Sequence, residues 1–198
     1  MDIAQNQYKK AIEIAKAVPK GTRLLLHSCC APCSSACLER LHEYFDITVF
    51  YYNPNIEDDE EYNKRKAEQI RFIKETGWAA YLDCEHEHEK FCEIAKGYEN
   101  CPEKGERCRR CYELRMKKTA ETAKELGFDY FSTTLSISPY KISRWINEIG
   151  YSLEGDLGVN FLPSNFKKEG GYQRSIELSG QYNLYRQNFC GCNYSRAK

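Results

Sequence analysis

The sequence lacks an excess of charge of either sign: among its 198 residues, 29 Lys and Arg face 29 Asp and Glu. No global positive field draws in nucleic acid, so any RNA contact must come from local basic patches. Also missing is any stretch approaching the ~18 apolar residues that a helical membrane span requires. The opening MDIAQNQYKKAIEIAKAVPK has neither an apolar h-region nor a cleavage signal, so a cytoplasmic location without membrane attachment is expected. Internal repeats and low-complexity tracts are absent. Hydrophobic residues at 41% and charged residues at 29% fit a chain that folds around its own core, and the length excludes a multidomain machine.

What is present is a run of alternating strand and helix signals. Arg23 to His27 (RLLLH) and Ile47 to Tyr52 (ITVFYY) are short apolar runs suited to buried strands, with further strands expected at Ala79 to Leu82 and Tyr130 to Thr134. Helical spacing marks an N-terminal helix that carries Tyr8, Ala11, Ile12, Ala15 and Val18, then segments at Asp58 to Glu75, Arg110 to Leu126 and Lys141 to Ile149. Gly77, Gly127 and Gly150 stand where helix C-caps belong, and Asn100 to Arg107 reads as a loop. The alternation predicts an α/β fold, a Rossmann-like parallel sheet with flanking helices, because parallel strands need crossovers of helix length. One domain over 1–198 is expected, in which 155–198 forms a Cys-containing C-terminal appendage that packs as a lid, with one helix near Ser175. In such sheets ligands bind beyond the carboxyl ends of the strands.

Cysteine is over-represented, with 11 residues, an odd number. In a reducing compartment that points to metal, redox chemistry or catalysis before crosslinks. Seven fall in three clusters beside loops: Cys29, Cys30 and Cys33 in HSCCAPC, Cys108 and Cys111 in RCRRC, and Cys190 and Cys192 in FCGC. The CAPC pair alone also suits a disulfide exchanger at a helix N-terminus. Seven thiols exceed that need, and exceed the four ligands of one iron–sulfur cluster or one structural zinc. Iron–sulfur and zinc both remain open on spacing. Cys37, Cys84, Cys92 and Cys101 are expected to pack as small hydrophobes. His86 and His88 in EHEHE read as a solvated helix start, and His27 as a polar core residue behind the site.

Six ordered blocks carry a resemblance: LLLHSCCAPC at 24–33, YYNPNI at 51–56, RCRRCYELR at 107–115, FSTTLSISPYK at 131–141, FLPSNFKKEGGYQRSIELS at 161–179 and YRQNFCGCNYS at 185–195. In these the chain resembles the QueH family of epoxyqueuosine reductases, departing locally at Ser164 and Asn165, where an acidic residue is expected. The resemblance implies a fold similar to adenine nucleotide α-hydrolase-like (HUP) proteins, a 4Fe-4S cluster and an adjacent mononuclear iron. The implied reaction removes the epoxide oxygen of epoxyqueuosine at the wobble position of a tRNA, with electrons from an unidentified donor. Carried over by position, Cys29, Cys30, Cys33, Cys108, Cys111, Cys190 and Cys192 are the expected metal ligands together. Asp83, directly after a strand, is the candidate carboxylate ligand, and Cys29, Cys30, Cys33 and Asp83 are the candidate catalytic residues.

Arg107, Arg109, Arg110 and Arg115 around the second CxxC, with Tyr140, Lys141 and Arg144, are the expected RNA contacts, through phosphate pairing and base stacking. Two rival readings stand beside this one. An iron–sulfur tRNA sulfur-transfer enzyme would need a glycine-rich ATP loop after the first strand, where this chain has Ser28-Cys29-Cys30. A non-catalytic zinc-stapled RNA-binding module would need only the thiols.

Overall fold

The computed structural model describes residues 3–195, so the last three residues of the expected C-terminal appendage lie outside it. Helix α1 (Ile3–Ala17) leads into strand β1 (Arg23–His27), whose middle leucines are fully buried, as a continuous apolar run demands when both sheet faces are covered. There follow α2 (Ala31–Leu41), β2 (Asp46–Phe50), α3 (Asp59–Thr76), β3 (Ala80–Leu82), α4 (His88–Ala95) and α5 (Glu106–Glu125). The chain continues through β4 (Tyr130–Thr133), a 3-10 turn at Thr134–Ile137, α6 (Ser143–Leu157), β5 (Asn160–Phe161) and α7 (Gly171–Gln181). The expected parallel α/β architecture is present: one five-stranded sheet, all strands parallel, in the order β3-β2-β1-β4-β5.

Alternation along β1 separates two cores. Leu24 and Leu26 pack with Ala11 and Ala15 of α1, Leu38 and Leu41 of α2, Phe72 of α3 and Leu178 of α7. Leu25 faces the other way, against Met116 and Ala120 of α5 and Ile146 and Leu153 of α6. Local signals bound the helices well. Asp58 caps α3 by accepting from the amides of Glu60 and Glu61 at 3.0 and 3.2 Å, and Gly77 ends it at φ 67°, the left-handed conformation glycine adopts freely. The first crossovers run from β1 to β2 and then β3, and the chain returns to place β4 on the other flank of β1. The crevice beyond the carboxyl ends of β1 and β4 is therefore the switch point of the sheet. No helix among the described residues is long and apolar enough to cross a membrane.

Several local expectations are corrected. Gly150 does not cap a helix. It lies inside α6, which runs on to a left-handed Gly158, and a Cβ at position 150 would stand 2.3 Å from ring atoms of Phe161. Helix α5 begins at Glu106 and not Arg110, so Arg107 belongs to its first turn. His88 does begin α4, as expected, but His86 and His88 are half-buried rather than freely solvated: their rings meet the carbonyls of Ile56 and Pro54 at 2.8 and 2.7 Å, fastening the loop after β2. The two-residue strand β5 arises within the segment expected to be an appendage, pairing Asn160 and Phe161 with Tyr130 and Phe131.

Glycine 150 is thus retained for close approach, while Gly155, in the same helix with nothing near its missing Cβ, is retained for no packing reason. Gly150→Ala is expected to lower stability by ~1–3 kcal/mol through overpacking. Gly155→Ala should raise it by ~0.4–1 kcal/mol by narrowing the unfolded ensemble. Urea denaturation of the two variants checks both signs.

Candidate metal centre

Immediately after His27 the chain leaves β1 and turns into α2 through Ser28, Cys29 and Cys30. Cys30 occupies the N-cap in extended conformation (φ −176°, ψ 161°), with a proline in the first turn, and its carbonyl accepts from the amides of Cys33 and Ser34, both at 3.1 Å. That geometry folds the three sulfurs of Cys29, Cys30 and Cys33 together, each within 4.8 Å of the others. Polar groups on neighbouring elements hold the loop. The Ser28 hydroxyl donates to Gln69 Oε1 at 2.7 Å, Asn53 Nδ2 donates to the Ser28 carbonyl at 2.9 Å, and Gln187 Nε2 donates to Cys30 Sγ at 2.8 Å.

A second group of thiols forms where the start of α5 meets the loop after α7. Cys111 and Cys192 pack with Phe91 and Ala95 of α4, while Cys190 Sγ accepts from Lys141 Nζ at 3.0 Å. Cys108, one turn before Cys111, is buried against the sheet with Leu25 and Tyr112. The turn at 190–192 is fixed through backbone: the Cys190 carbonyl accepts from Asn55 Nδ2 and Arg65 Nη1, both at 3.3 Å. Gly191 sits at φ 111°, and a Cβ there would meet Ile56 Cγ1 at 2.7 Å, so this position requires glycine. All eleven cysteines are free thiols.

Cys29, Cys33 and Cys190 line one cavity of about 600 Å³, which lies beyond the ends of β1 and β4. Arg115 and Lys141 line it too, as do Tyr140 after β4, Tyr172 on α7, and Arg186 and Gln187 in the loop after α7. Hydrogen bonds from Cys30 and Cys33, and then the Arg115 charge, hold Cys29 well below the ordinary thiol range against its burial. As donors to Cys29 their own thiols move the other way, Cys30 to about 12. The second group repeats the pattern: a hydrogen bond from Cys192, then Lys141 and Arg115, hold Cys190 low, and burial pushes Cys111 up to about 11. Each group thus pairs one sulfur biased toward the thiolate with neighbours biased toward the thiol, which would have to lose their protons to bind a metal.

Arg115 joins the two groups. Its side chain is 1% exposed and donates to His27 Nε2 at 3.2 Å and to Asn53 Oδ1. Burial opposes its charge, but the sulfurs of Cys111, Cys29 and Cys190 more than offset that. His27 is correspondingly held neutral, lowered to about 3 by burial and then by Arg115, between Thr133 Oγ1 at 2.8 Å and the Tyr52 carbonyl at 3.0 Å.

The basic residues expected at RNA divide. Arg107 is buried and donates to the carbonyls of Tyr98, Glu99 and Cys101 at 2.9, 2.9 and 2.6 Å, clamping the loop before α5. Arg115 is a buried cation behind the thiols, and Lys141 donates to Cys190 Sγ at 3.0 Å and stands 3.9 Å from a Glu103 carboxylate oxygen. Arg109 and Arg144 both pair with Glu148, at 3.8 and 2.8 Å, and Arg110 pairs with Glu106 at 3.6 Å and donates to the Tyr98 hydroxyl. Tyr140, 60% exposed, remains at the cavity. Asp83 is not brought there: its carboxylate pairs with Lys66 at 2.7 Å, its side chain is 56% exposed, and it does not line the cavity. Sequence reasoning missed Gln69, Asn53 and Gln187, uncharged residues: Gln187 shares a block with two thiols, Asn53 lies in a block without any, and Gln69 in none.

Comparison with known proteins gives a consistent result. A sequence profile described as "Epoxyqueuosine reductase QueH" matches residues 24–198. The chain is 43% identical over 183 residues to the epoxyqueuosine reductase QueH of Staphylococcus epidermidis, covering 89% of this chain and 77% of that one. It is 42% identical over 177 residues to the protein of that name from Streptococcus pyogenes (87% and 69% covered). With the one from Thermotoga maritima identity is 36% over 176 residues (87% and 89% covered).

If Arg115 is a structural cation, Arg115→Met strips partners from His27 and Asn53 and should cost ~1–3 kcal/mol of stability. Arg144→Met, at a side chain 78% exposed, should change it by less than ~0.5 kcal/mol. Denaturant unfolding of both variants separates the two roles.

Proposed function

The chain belongs to the epoxyqueuosine reductase QueH family, and from that membership we propose how its three thiol-bearing segments carry out the reduction. It is an epoxyqueuosine reductase, and so an oxidoreductase of queuosine biosynthesis. Our reading is that Cys29, Cys30, Cys33, Cys108, Cys111, Cys190 and Cys192 together hold a 4Fe-4S cluster and an adjacent mononuclear iron, and that the substrate is epoxyqueuosine at the wobble position of a tRNA. The donor set fits such a group: free thiols, three of them within 4.8 Å of one another, with one sulfur in each group already favouring the anion. When bound, thiolate-held iron supplies electrons one at a time and a Lewis-acidic position for an oxygen atom.

The chain's own residues supply the rest. A cavity of about 600 Å³ falls within the range of small-ligand sites and accepts a single modified nucleoside, not a stacked duplex. Loss of the epoxide oxygen consumes two electrons and two protons and yields an alkene and water, so negative charge builds up on that oxygen as its bonds to carbon break. Lys141 Nζ and Arg115, both side chains nearly buried, place positive charge on the cavity wall against that build-up. Lys141 holds a proton there, its ammonium stabilised against burial chiefly by Cys190 and Tyr112. The two electrons come from a separate electron donor.

The observation that carries the proposal is that thiols from separate segments line or back one cavity at the switch point of the sheet. Anaerobically reconstituted protein should be brown, with about five irons per chain, the sum of four cluster irons and one more. Cys29→Ala and Cys190→Ala should each lose iron and abolish reduction of epoxyqueuosine-containing tRNA. Colourless protein with about one zinc per chain would instead favour the zinc-stapled module.

A further inference from the structure

The basic residues around α5 and α6 are engaged with glutamates or buried, which leaves open what meets the RNA. The cavity lining answers differently from the sequence. Of the four cations that line it, Arg65 is tied to Glu61 at 2.6 Å, and Arg115 and Lys141 face thiols, while Arg186 is exposed. Its guanidinium lies 5.4 Å from the ring centre of Tyr172, which also lines the cavity. A matching pair stands on another segment, where Lys104 Nζ lies 5.5 Å from the ring centre of the exposed Tyr140. Among the described residues neither Lys104 nor Arg186 pairs with a carboxylate, unlike Arg109, Arg110 and Arg144.

Tyr140 and Arg186 sit on anchored segments. The Tyr140 amide donates to Ser138 Oγ at 3.2 Å, and Lys167 Nζ ties the carbonyls of Ser138 and Lys141 at 3.4 and 2.9 Å. Arg186 Nη1 is steadied by Ser179 Oγ at 3.3 Å on α7, and its neighbour Gln187 binds Cys30. An aromatic face with an adjacent cation, given twice at one cavity, is the chemistry that receives single-stranded nucleotides: the ring stacks on a base and the cation meets its phosphate.

We propose that Tyr140 with Lys104, and Tyr172 with Arg186, form a two-point clamp for the nucleotides that flank the extruded wobble base. This rests on the reading of the cavity as the seat of the modified nucleoside. To reach buried sulfurs that nucleoside must leave its stack, and its neighbours lose a stacking face. The two tyrosine rings replace it, and the neutral chain gains a local basic contact without a basic surface.

The test uses anaerobically purified full-length protein and a fluorescein-labelled anticodon stem-loop RNA lacking the epoxide, read by anisotropy across a salt series. Binding is read without turnover, so an inactive wild type would sink the assigned reaction and leave the clamp to be judged by this experiment. Tyr140→Leu and Tyr172→Leu, which keep apolar bulk but lose the π-face, should each weaken binding about five- to hundredfold. Tyr140→Trp should retain it. Lys104→Gln and Arg186→Gln should each reduce the slope of log K against log salt by nearly one, and Arg144→Gln should not. With epoxyqueuosine-containing tRNA the same variants should raise KM while kcat at saturation is kept. Wild-type affinity and slope in the combined Tyr140→Leu, Tyr172→Leu, Arg186→Gln variant would overturn the clamp, as would equal binding of a fully paired RNA hairpin.

Discussion

A guanidinium that cannot lose its proton lies buried among sulfurs, and much of the site is organised around that fact. Arg115 is fastened to His27 and Asn53, and the groups that stabilise its charge are the thiols of Cys111, Cys29 and Cys190. A buried charge left uncompensated costs several kcal/mol, and the sulfurs facing Arg115 are the groups that offset that cost. The same requirement runs the other way. A set of thiolates brought together without a cation would repel one another and take up protons. The arginine and the sulfurs therefore account for each other, and the neutral His27 fills the gap between them without adding a second positive charge.

The topology decides which segments can take part. With β1 at the centre and β4 beside it, the loop after β1 and the turn after β4 open into one crevice. The first contributes Cys29, Cys30 and Cys33, and the second contributes Tyr140 and Lys141. Helix α5 packs on the face of the sheet that Leu25 looks onto, which sets Cys108 against the sheet and Cys111 beside Cys192 of the final loop. The final loop then crosses the opening, held by Asn55, Arg65 and Gln187. The segment from 155 onward thus supplies an edge strand of the sheet as well as the cavity wall.

Much of this was legible because it is written in local pattern. RLLLH, a short apolar run stopped by turn signals on either side, fits a doubly covered strand, and the boundaries of α3 follow from Asp58 and Gly77. The seven clustered cysteines stand out by spacing. What was not legible depends on partners outside the local pattern. Gly150 looks like a cap until Phe161 is seen pressed into the space a Cβ would fill. A strand of two residues carries no periodicity, so β5 is specified by its neighbour Phe131 and not by itself. Arg107 and Arg115 belong by composition to a basic patch, yet each is turned inward by acceptors from other segments, three loop carbonyls for one and Asn53 with His27 for the other. Charge is readable in a sequence; the direction a long side chain takes is not.

The two thiol groups differ in what assembles them. Cys29, Cys30 and Cys33 lie within one turn of chain, so closing that set costs little entropy and is imposed by the N-terminus of α2. Cys111 and Cys190 are separated by most of the second half of the molecule, and no metal is needed to explain their approach. Packing of α5 on the sheet, two hydrogen bonds to the Cys190 carbonyl and a glycine at φ 111° already fix the turn. A metal that binds there meets a site whose closure entropy folding has met beforehand, which favours tight binding and keeps the distant sulfurs apart from disulfide partners elsewhere. The cost falls on deprotonation instead. Cys30, Cys33, Cys111 and Cys192 are all held protonated by burial and by their anionic neighbours, so loading must expel protons, and the affinity of the site for metal should rise with pH until those thiols are spent.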